Sequence, residues 1–246
     1  MIYDGTTAHA NGESSSDRQI GTSRFNSTYG DNAYVGYMMG INSGNSTSYE
    51  QTTTNTYNST IKTYIDSWYK TNIEDTGYSD KVADVIYCND RKIDNLSGYG
   101  NALGYGTNQT GYMARYRASI NKIPILTCSQ KNDAFTVNDI INGNGALMYP
   151  IGLITLDELV MGGGGYSTRN FNSSYYLYTG SYYWTMSPAY FNSSSGGTNV
   201  FRISFNGSIG FNLASAYYGV RLVLSLKSDA KLLGSGTIDD PYVVQD

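Results

Sequence analysis

Residues 173–191, "SSYYLYTGSYYWTMSPAYF", limit the fold more than any other part of the sequence. Ten of these nineteen residues are Tyr, Trp, Phe, Leu or Met, and most of the others are Ser, Thr and Gly. Side chains this large and apolar belong in a core, yet they follow neither the period of a half-buried strand nor that of an amphipathic helix. Residues typical of loops follow the stretch directly.

Two interpretations of this stretch remain open from the residues alone. One is a β-rich core with tyrosine hydroxyls at its rim. The other is a binding surface, because tyrosine offers rigid amphipathic area while Ser, Gly and Asn offer adaptable hydrogen bonds, as in antibody combining sites. In both cases we expect "YYWTMSP" to lie in the core, with Trp184 as its anchor.

The charge composition limits the classes of partner. The 246 residues carry 16 basic and 20 acidic groups, a net charge of -4, and charged residues make up 15% of the chain. That is well below the usual quarter or so, and a slightly acidic chain gives no reason to expect nucleic-acid binding. No apolar run reaches the ~18 residues of a membrane span. We expect an extracellular or cell-surface domain whose targeting segment is absent from this chain.

The clearest helix signal is "NSTIKTYIDSWYKTNI" at residues 58–73. Ser59 or Asn58 is suited to cap its start. Five large side chains then recur at helical spacing and predict one buried face, with Trp68 as a core anchor: Ile61, Tyr64, Ile65, Trp68 and Tyr69.

Other segments predict strands in mixed order with few helices. We expect strands at residues 32–40, at 146–154, within "NVFRISF" and over "YGVRLVLSL", and a capping box at Thr155 and Glu158 that starts a short helix. The end of the chain, "GSGTIDDPYVVQD", predicts a turn and a short β segment. This order of elements predicts an α+β fold with a small mixed or antiparallel sheet rather than βαβ repeats.

The two cysteines, Cys88 and Cys128, each follow a short apolar run. They are either two buried thiols or a disulfide. The extracellular character of the composition favours the disulfide.

No catalytic, metal or cofactor site is evident from the motifs. His9, the single histidine, lies in a polar segment near the first residue, and the sequence has no G-x-S-x-G motif, no zinc ligand set and no phosphate-binding loop. Asp239 and Asp240 either form a turn or bind calcium, and a pair of carboxylates brought together by the fold stays open. We predict a protein that is not an enzyme and has no cofactor.

Several segments resemble the variable proteins of bacterial and phage diversity-generating retroelements. The family often has a Trp-x-x-Ser segment, a variable stretch, a Gly-Val-Arg-Pro-Val strand and a closing Gly-x-Gly-Thr…Pro-Tyr-Val. The matching residues are Trp184 and Ser187; Gly219, Val220, Arg221 and Val223; and Gly234, Gly236, Thr237, Pro241, Tyr242 and Val243. Leu222 departs from the pattern, where the family has Pro. Other pieces, such as "STIKTYIDSWYKTNI" and "YPIGLIT", look like members from gut bacteria, some of which have a prepilin-type leader.

The resemblance implies a single C-type lectin-like domain over residues 1–246, of the subtype shared with the formylglycine-generating enzyme. In that family, error-prone copying of adenines diversifies a ligand-binding face, here expected within residues 166–222. The framework would include Trp184, Val200, Ile203, Val220 and Leu224. The implied ligand-binding positions are Tyr190, Asn192, Arg202, Ser204, Asn206, Gly210, Phe211, Asn212, Ser215, Tyr217 and Tyr218.

The implied function is that of a non-catalytic surface receptor or adhesin. Its partner would be a macromolecule, protein or glycan, on another cell, a host or a phage. The enzyme relative uses catalytic cysteines in the region after Cys128, where this chain has none, so the resemblance does not imply catalysis. Two alternatives stay open: a carbohydrate-binding module or glycan-active enzyme, and a structural subunit of a pilus tip.

Overall fold

The computed structural model describes residues 1–10, 12–165, 175–237 and 239–245, and within them the helices are short. The α-helices are Tyr49–Thr53 (α1), Thr60–Tyr69 (α2), Met113–Tyr116 (α3) and Leu156–Met161 (α4). Two π-helical turns, Lys70–Glu74 and Arg117–Asn121, extend α2 and α3. The 3₁₀ turns are Ser16–Arg18, Asn32–Val35, Ser79–Lys81, Lys131–Asp133 and Ser193–Ser195.

Most strands are two or three residues long, and the long ones lie in the second half of the chain. In chain order they are Thr22–Arg24 (β1), Met38–Met39 (β2), Tyr57–Asn58 (β3), Tyr87–Cys88 (β4), Thr110–Gly111 (β5), Ala134–Phe135 (β6), Gly152–Leu153 (β7), Tyr183–Asn192 (β8), Gly197–Ile203 (β9), Ile209–Leu213 (β10), Tyr217–Gly219 (β11), Leu222–Val223 (β12), Leu232–Leu233 (β13) and Val243–Val244 (β14).

A six-stranded sheet forms the centre of the fold. Its order is β1-β11-β8-β9-β10, and β5 pairs with the distal end of β8. All pairings are antiparallel except that of β11 with β8. The other strands form two-stranded pairs, β12-β7, β13-β14, β2-β3 and β4-β6. Short helices with mixed sheets confirm the predicted loop-rich α+β class.

Strand β8 explains why the stretch around Trp184 has no periodicity. Trp184 and Met186 pack into one core cluster with Phe25 and Val200, whereas Tyr183 on the opposite face packs into a second cluster. A strand buried on both faces has no polar side to alternate with, as in parallel sheets covered by helices. Trp184 is fully buried, so the prediction that it anchors the core is confirmed.

Helix α2 forms where the periodicity predicts it. The Ser59 hydroxyl accepts a hydrogen bond from the Lys62 N–H at its start, and Ile61 and Ile65 are buried in the core. Trp68 is only half-buried and packs edge-to-face on Tyr3, with ring centroids 5.9 Å apart. The prediction that Trp68 anchors the core was therefore wrong, because its ring covers the rim of the core.

The capping box before α4 is also confirmed. The Thr155 hydroxyl accepts from the Glu158 N–H at 3.1 Å, and the Glu158 carboxylate accepts from the Thr155 N–H at 2.7 Å. Both groups satisfy N–H donors that the first turn of a helix leaves without partners.

Two predicted strands are mostly not strands. Residues 32–35 form a 3₁₀ turn because the buried Asp31 carboxylate accepts from the Ala33 N–H at 2.8 Å, and only β2 remains of the strand predicted at 32–40. Of residues 146–154, only β7 pairs with another strand. In both segments hydrophobic side chains are buried by loops, which single-sequence patterns do not distinguish from strands.

The predicted strand "YGVRLVLSL" divides between two sheets. Residues 217–219 join the central sheet as β11, and residues 222–223 pair with β7 as β12. Between them the buried Arg221 donates to the carbonyls of Tyr3 and Leu177, at 3.0 and 3.1 Å. Leu222, where the resemblance expected Pro, is buried and pairs with Leu153.

Cys88, at the end of β4, and Cys128 form a disulfide with Cα atoms 5.5 Å apart, and it spans 40 residues of chain. The bridge ties the loop before residue 128 to the β4-β6 pair. Closing a loop of this length stabilises the fold chiefly by restricting the unfolded chain. Among the described residues, no helix is long and apolar enough to cross a bilayer.

Candidate binding surface

The positions predicted to bind a ligand do not form one continuous set. Residues 166–174 of the predicted variable region lie outside the described residues. In the remainder, alternate residues of a strand project to opposite sides of the sheet. On β10, Gly210 and Asn212 therefore share one side, and Phe211 lies on the other. The register pairs Gly210 with Arg202, Phe211 with Phe201 and Asn212 with Val200.

The first group is an arginine–tyrosine cluster, which we define as Tyr182, Arg202, Phe205, Asn212 and Tyr218. The Arg202 guanidinium lies 4.6 Å from the Tyr182 ring centroid and 5.2 Å from that of Tyr218. Tyr182 also contacts the exposed Phe205, with centroids 5.5 Å apart. The Asn212 amide donates to the Tyr218 hydroxyl. Two tyrosine rings thus lie against a single cation, and Phe205 and Asn212 contact those two tyrosines.

Contacts with buried residues hold the arginine–tyrosine cluster in place. Tyr218 packs edge-to-face on Trp184 at 4.9 Å. A Cβ atom at Gly210 would lie 3.2 Å from Arg202 Nη1, so the absence of a side chain at Gly210 leaves room for the guanidinium. The buried Ser204 hydroxyl accepts a hydrogen bond from Arg202 Nη1. Ser204 therefore supports Arg202 and does not face solvent as the predicted ligand-binding role requires.

A second group surrounds Phe211 on the other side of β10. Phe211 is 43% exposed, and its ring centroid lies 5.0 Å from that of Tyr190. Tyr190 contacts Tyr99 at 5.6 Å, and the Arg115 guanidinium lies 3.9 Å from the Tyr99 centroid. Burial raises the pKa of Tyr190 above the ordinary tyrosine value.

Tyr217 stands apart from both groups. Its side chain is 62% exposed, and it lies on the opposite side of β11 from Tyr218. Arg24 is its partner in the register with β1, and the Arg24 guanidinium lies 4.9 Å from the Tyr217 ring centroid.

The other three predicted positions lie in turns. Asn192 ends β8, and its side chain accepts from the Ser194 N–H at 2.9 Å. The Asn206 side chain accepts from the Ser208 N–H at 3.1 Å in the β9–β10 turn. Ser215 is half-buried in the turn between β10 and β11. The side-chain hydrogen bonds of Asn192 and Asn206 stabilise turns.

Sequence reasoning missed Tyr182, Phe205, Arg24, Tyr99 and Arg115. Tyr182 and Phe205 lie within "YYWTMSP" and "NVFRISF", which the sequence analysis assigned to the core and to a strand. Tyr182 is half-buried, so its assignment to the core was wrong, and the aromatic character of both residues was the available signal. The other three come from distant parts of the chain. Only the β1–β11 pairing and the packing of residues 99 and 115 beside β8 bring them to this surface.

A concavity that contains charged residues lies elsewhere in the described part of the chain. A groove of about 490 Å³ runs beside the disulfide and contains Asp90, Arg117 and Asp157. Arg117 Nη2 lies 2.8 Å from Asp90 and 2.7 Å from Asp157, so the two carboxylates hold a buried cation between them. That arrangement is typical of a structural ion pair and differs from two free carboxylates facing a sugar.

No metal centre is formed by the part of the chain that the structure describes: no three His, Cys, Asp or Glu side chains there are grouped to hold an ion. Asp240 accepts from the Ser235 N–H at 2.8 Å, and its own N–H donates to Thr237. It is therefore a turn residue, one of the two roles that the sequence left open.

His9 lies between two carboxylates. Its Nε2 is 2.9 Å from Asp17 Oδ2, and its Nδ1 is 3.4 Å from Glu13 Oε1. Ser15 donates its hydroxyl hydrogen bond to Asp17 rather than to His9. A catalytic triad needs histidine between the hydroxyl and the carboxylate, so these three residues are in the wrong order for one.

We expect the imidazole of His9 to titrate above the ordinary value of about 6.5. Its pKa is raised, chiefly by the hydrogen bond with Asp17 and then by Glu13, because both favour the protonated ring. A raised folded-state pKa adds stability that is complete below about pH 6.5 and is lost as pH rises through the folded-state value. An NMR titration of the His9 ring checks this. Asp17→Asn should lower the midpoint, and a wild-type midpoint at or below the ordinary value would contradict the assignment.

Comparison with known proteins finds no match to this chain among family models, curated proteins or solved structures.

Proposed function

We propose that this chain is a non-catalytic ligand-binding receptor, displayed at a cell or phage surface, with a C-type lectin-like framework and a face diversified by a retroelement. The observation that carries the proposal is the exposure of large aromatic side chains on strands and turns around a rigid core. Phe205, Phe211 and Tyr217 are 56%, 43% and 62% exposed, while Trp184 in the core is fully buried.

Exposed aromatic residues of this kind suit an interface. A single exposed apolar residue is ordinary, whereas a continuous apolar patch marks a contact surface. Phe205 packs with Tyr182, and Phe211 packs with Tyr190, so the exposed rings form two separate aromatic groups. Tyrosine, tryptophan and arginine dominate the binding energy of protein interfaces, and the candidate surface is built mostly of tyrosine, phenylalanine and arginine. All five residues that the resemblance assigned to the framework are buried, which supports a division between framework and face: Trp184, Val200, Ile203, Val220 and Leu224.

The genomic locus tests the retroelement part of the proposal. We expect a reverse-transcriptase gene nearby and an adenine-rich near-copy of the segment that encodes residues 170–222. Independent isolates should differ at exposed positions such as Phe211 and Tyr217 and agree at Trp184 and Val220. Substitutions spread equally over buried and exposed positions of this segment would contradict the proposal.

A carbohydrate-binding module is a second candidate, favoured by the exposed ring of Tyr217, which offers a flat platform for a sugar. A glycan array separates the two functions. Binding of simple sugars in the micromolar range would favour the second, and its loss in Tyr217→Ser would locate the platform.

A further inference from the structure

The arginines of this protein fall into two groups by their ionic partners. Seven lie in the described part of the chain, and five of these pair with a carboxylate: Arg18 and Arg221 with Asp4, Arg91 with Asp133, Arg115 with Asp94, and Arg117 with Asp90 and Asp157. Arg24 and Arg202 have no carboxylate within ion-pair distance among the described residues. Both belong to the candidate binding surface.

Arg202 is the more enclosed of the two. Its guanidinium lies against both the Tyr182 and Tyr218 rings, whose centroids are 5.2 Å apart, and its Nε is buried without a hydrogen-bond partner among the described residues. Within the described residues its side chain makes one hydrogen bond, from Nη1 to the Ser204 hydroxyl. A neutral hydroxyl thus occupies the place that a carboxylate occupies beside five other arginines.

The stacking determines how this cation is presented. A guanidinium lying on an aromatic face keeps its N–H groups in its own plane, and that fork matches the two oxygens of a carboxylate, sulfate or phosphate. A partly desolvated charge without a counter-ion is unfavourable, and an anion arriving from outside relieves that cost. The chain carries a net charge of -4, so an unpaired cation here runs against the protein's overall charge.

We infer that the arginine–tyrosine cluster binds an anionic group of the ligand, held by Arg202 and flanked by an apolar or aromatic portion packed on Phe205 and Tyr182. The inference rests on the proposed function, since it names the ligand chemistry of that surface. Arg24 lies over Tyr217, and its Nε is likewise buried without a hydrogen-bond partner among the described residues. It is a second cation of this kind, on the opposite side of β11 from Tyr218.

Phenyl sulfate is a suitable probe, and phenol is its uncharged control. Each is titrated into the wild-type protein while the Nε–Hε signals of the arginines are followed by NMR. We expect phenyl sulfate, and not phenol, to shift the Arg202 signal, with the paired Arg221 as an unaffected internal reference. Added salt should weaken the effect, because exposed charge interactions are screened. Benzoate and phenyl phosphate in parallel titrations identify the preferred anion.

Two variants locate the binding. Arg202→Gln should weaken phenyl sulfate binding by about tenfold or more, the effect of losing a charge-assisted hydrogen bond. Arg202→Lys keeps the positive charge but lacks the planar pair of N–H donors. Its affinity for phenyl sulfate should lie between those of wild type and Arg202→Gln. Thermal melting of both variants shows whether they remain folded, and the wild-type comparison of the two probes does not depend on either variant.

The outcomes separate this inference from the proposed function. If phenol shifts the cluster signals as strongly as phenyl sulfate does, the surface binds ligands but does not select anions, and the inference fails alone. Phenyl sulfate binding that Arg202→Gln leaves unchanged also overturns it. If neither probe perturbs the cluster, the inference is overturned, and the proposed function loses this part of its binding surface as well.

Discussion

Trp184→Ala is expected to lower the free energy of unfolding by about 3–5 kcal/mol, the usual cost of truncating a large buried aromatic side chain. Trp184 is fully buried, donates its indole N–H to the Ser23 carbonyl at 2.9 Å and packs edge-to-face on Phe25 at 6.0 Å. Removal of the indole leaves a cavity beneath β1 and β11 and a buried carbonyl without its donor. Urea unfolding of the variant beside wild type measures the loss.

Phe211→Ser and Tyr217→Ser are the matched controls, and each should change stability by less than about 0.5 kcal/mol, as exposed positions usually do. Tyr218→Ser should cost more than either. Tyr218 is half-buried against Trp184 and accepts a hydrogen bond from Asn212, so it is partly framework, although the resemblance places it on the variable face. If the two controls unfold as easily as Trp184→Ala, these aromatics belong to the core, and the receptor proposal loses its main physical support.

Arg91→Met should destabilise the protein by about 3–5 kcal/mol, because it leaves a buried carboxylate without its counter-ion. Arg91 and Asp133 are both fully buried, and the Arg91 side chain also donates to the carbonyls of Met38 and Thr53, at 2.8 and 3.2 Å. One side chain thereby ties β2 and α1 to the 3₁₀ turn at residues 131–133. Chemical denaturation followed by circular dichroism measures the effect.

Lys70→Met is the control for that experiment, since Lys70 forms its ion pairs with Glu74 and Asp75 at the surface. Exposed pairs contribute only about 0–1 kcal/mol. The double variant Arg91→Met/Asp133→Leu should recover part of the loss, because it removes the stranded carboxylate as well. A single Arg91→Met variant no less stable than Lys70→Met would show that the buried pair does not hold these segments together.

The local features of the fold follow from the sequence because their causes are local. The Ser59 cap, the helical period of α2 and the capping box at Thr155 and Glu158 each involve residues within a few positions of one another. The predicted burial of Trp184 also depends little on context, because so large a ring is costly to leave in water.

Strand boundaries were harder to predict because burial by loops and burial by strands leave the same apolar pattern. Residues 32–40 and 146–154 are rich in large apolar side chains, yet they contribute only β2 and β7. "YGVRLVLSL" reads as one strand, and the hydrogen bonds of the buried Arg221 with Tyr3 and Leu177 divide it. Those partners are more than forty positions away along the chain.

The sequence by itself determined the loop-rich α+β class, the two capped helices and the core position of Trp184. Only the tertiary structure decided how the surface is composed. It buried Ser204 under Arg202, placed Phe211 and Asn212 on opposite sides of β10, and brought Arg24 beside Tyr217. Strand register decides these neighbours, and register depends on pairing between distant segments that no local pattern encodes. Among the described residues, the same pairing left Arg24 and Arg202 without carboxylate partners, which is why the proposed ligand chemistry could not be inferred from the order of the residues.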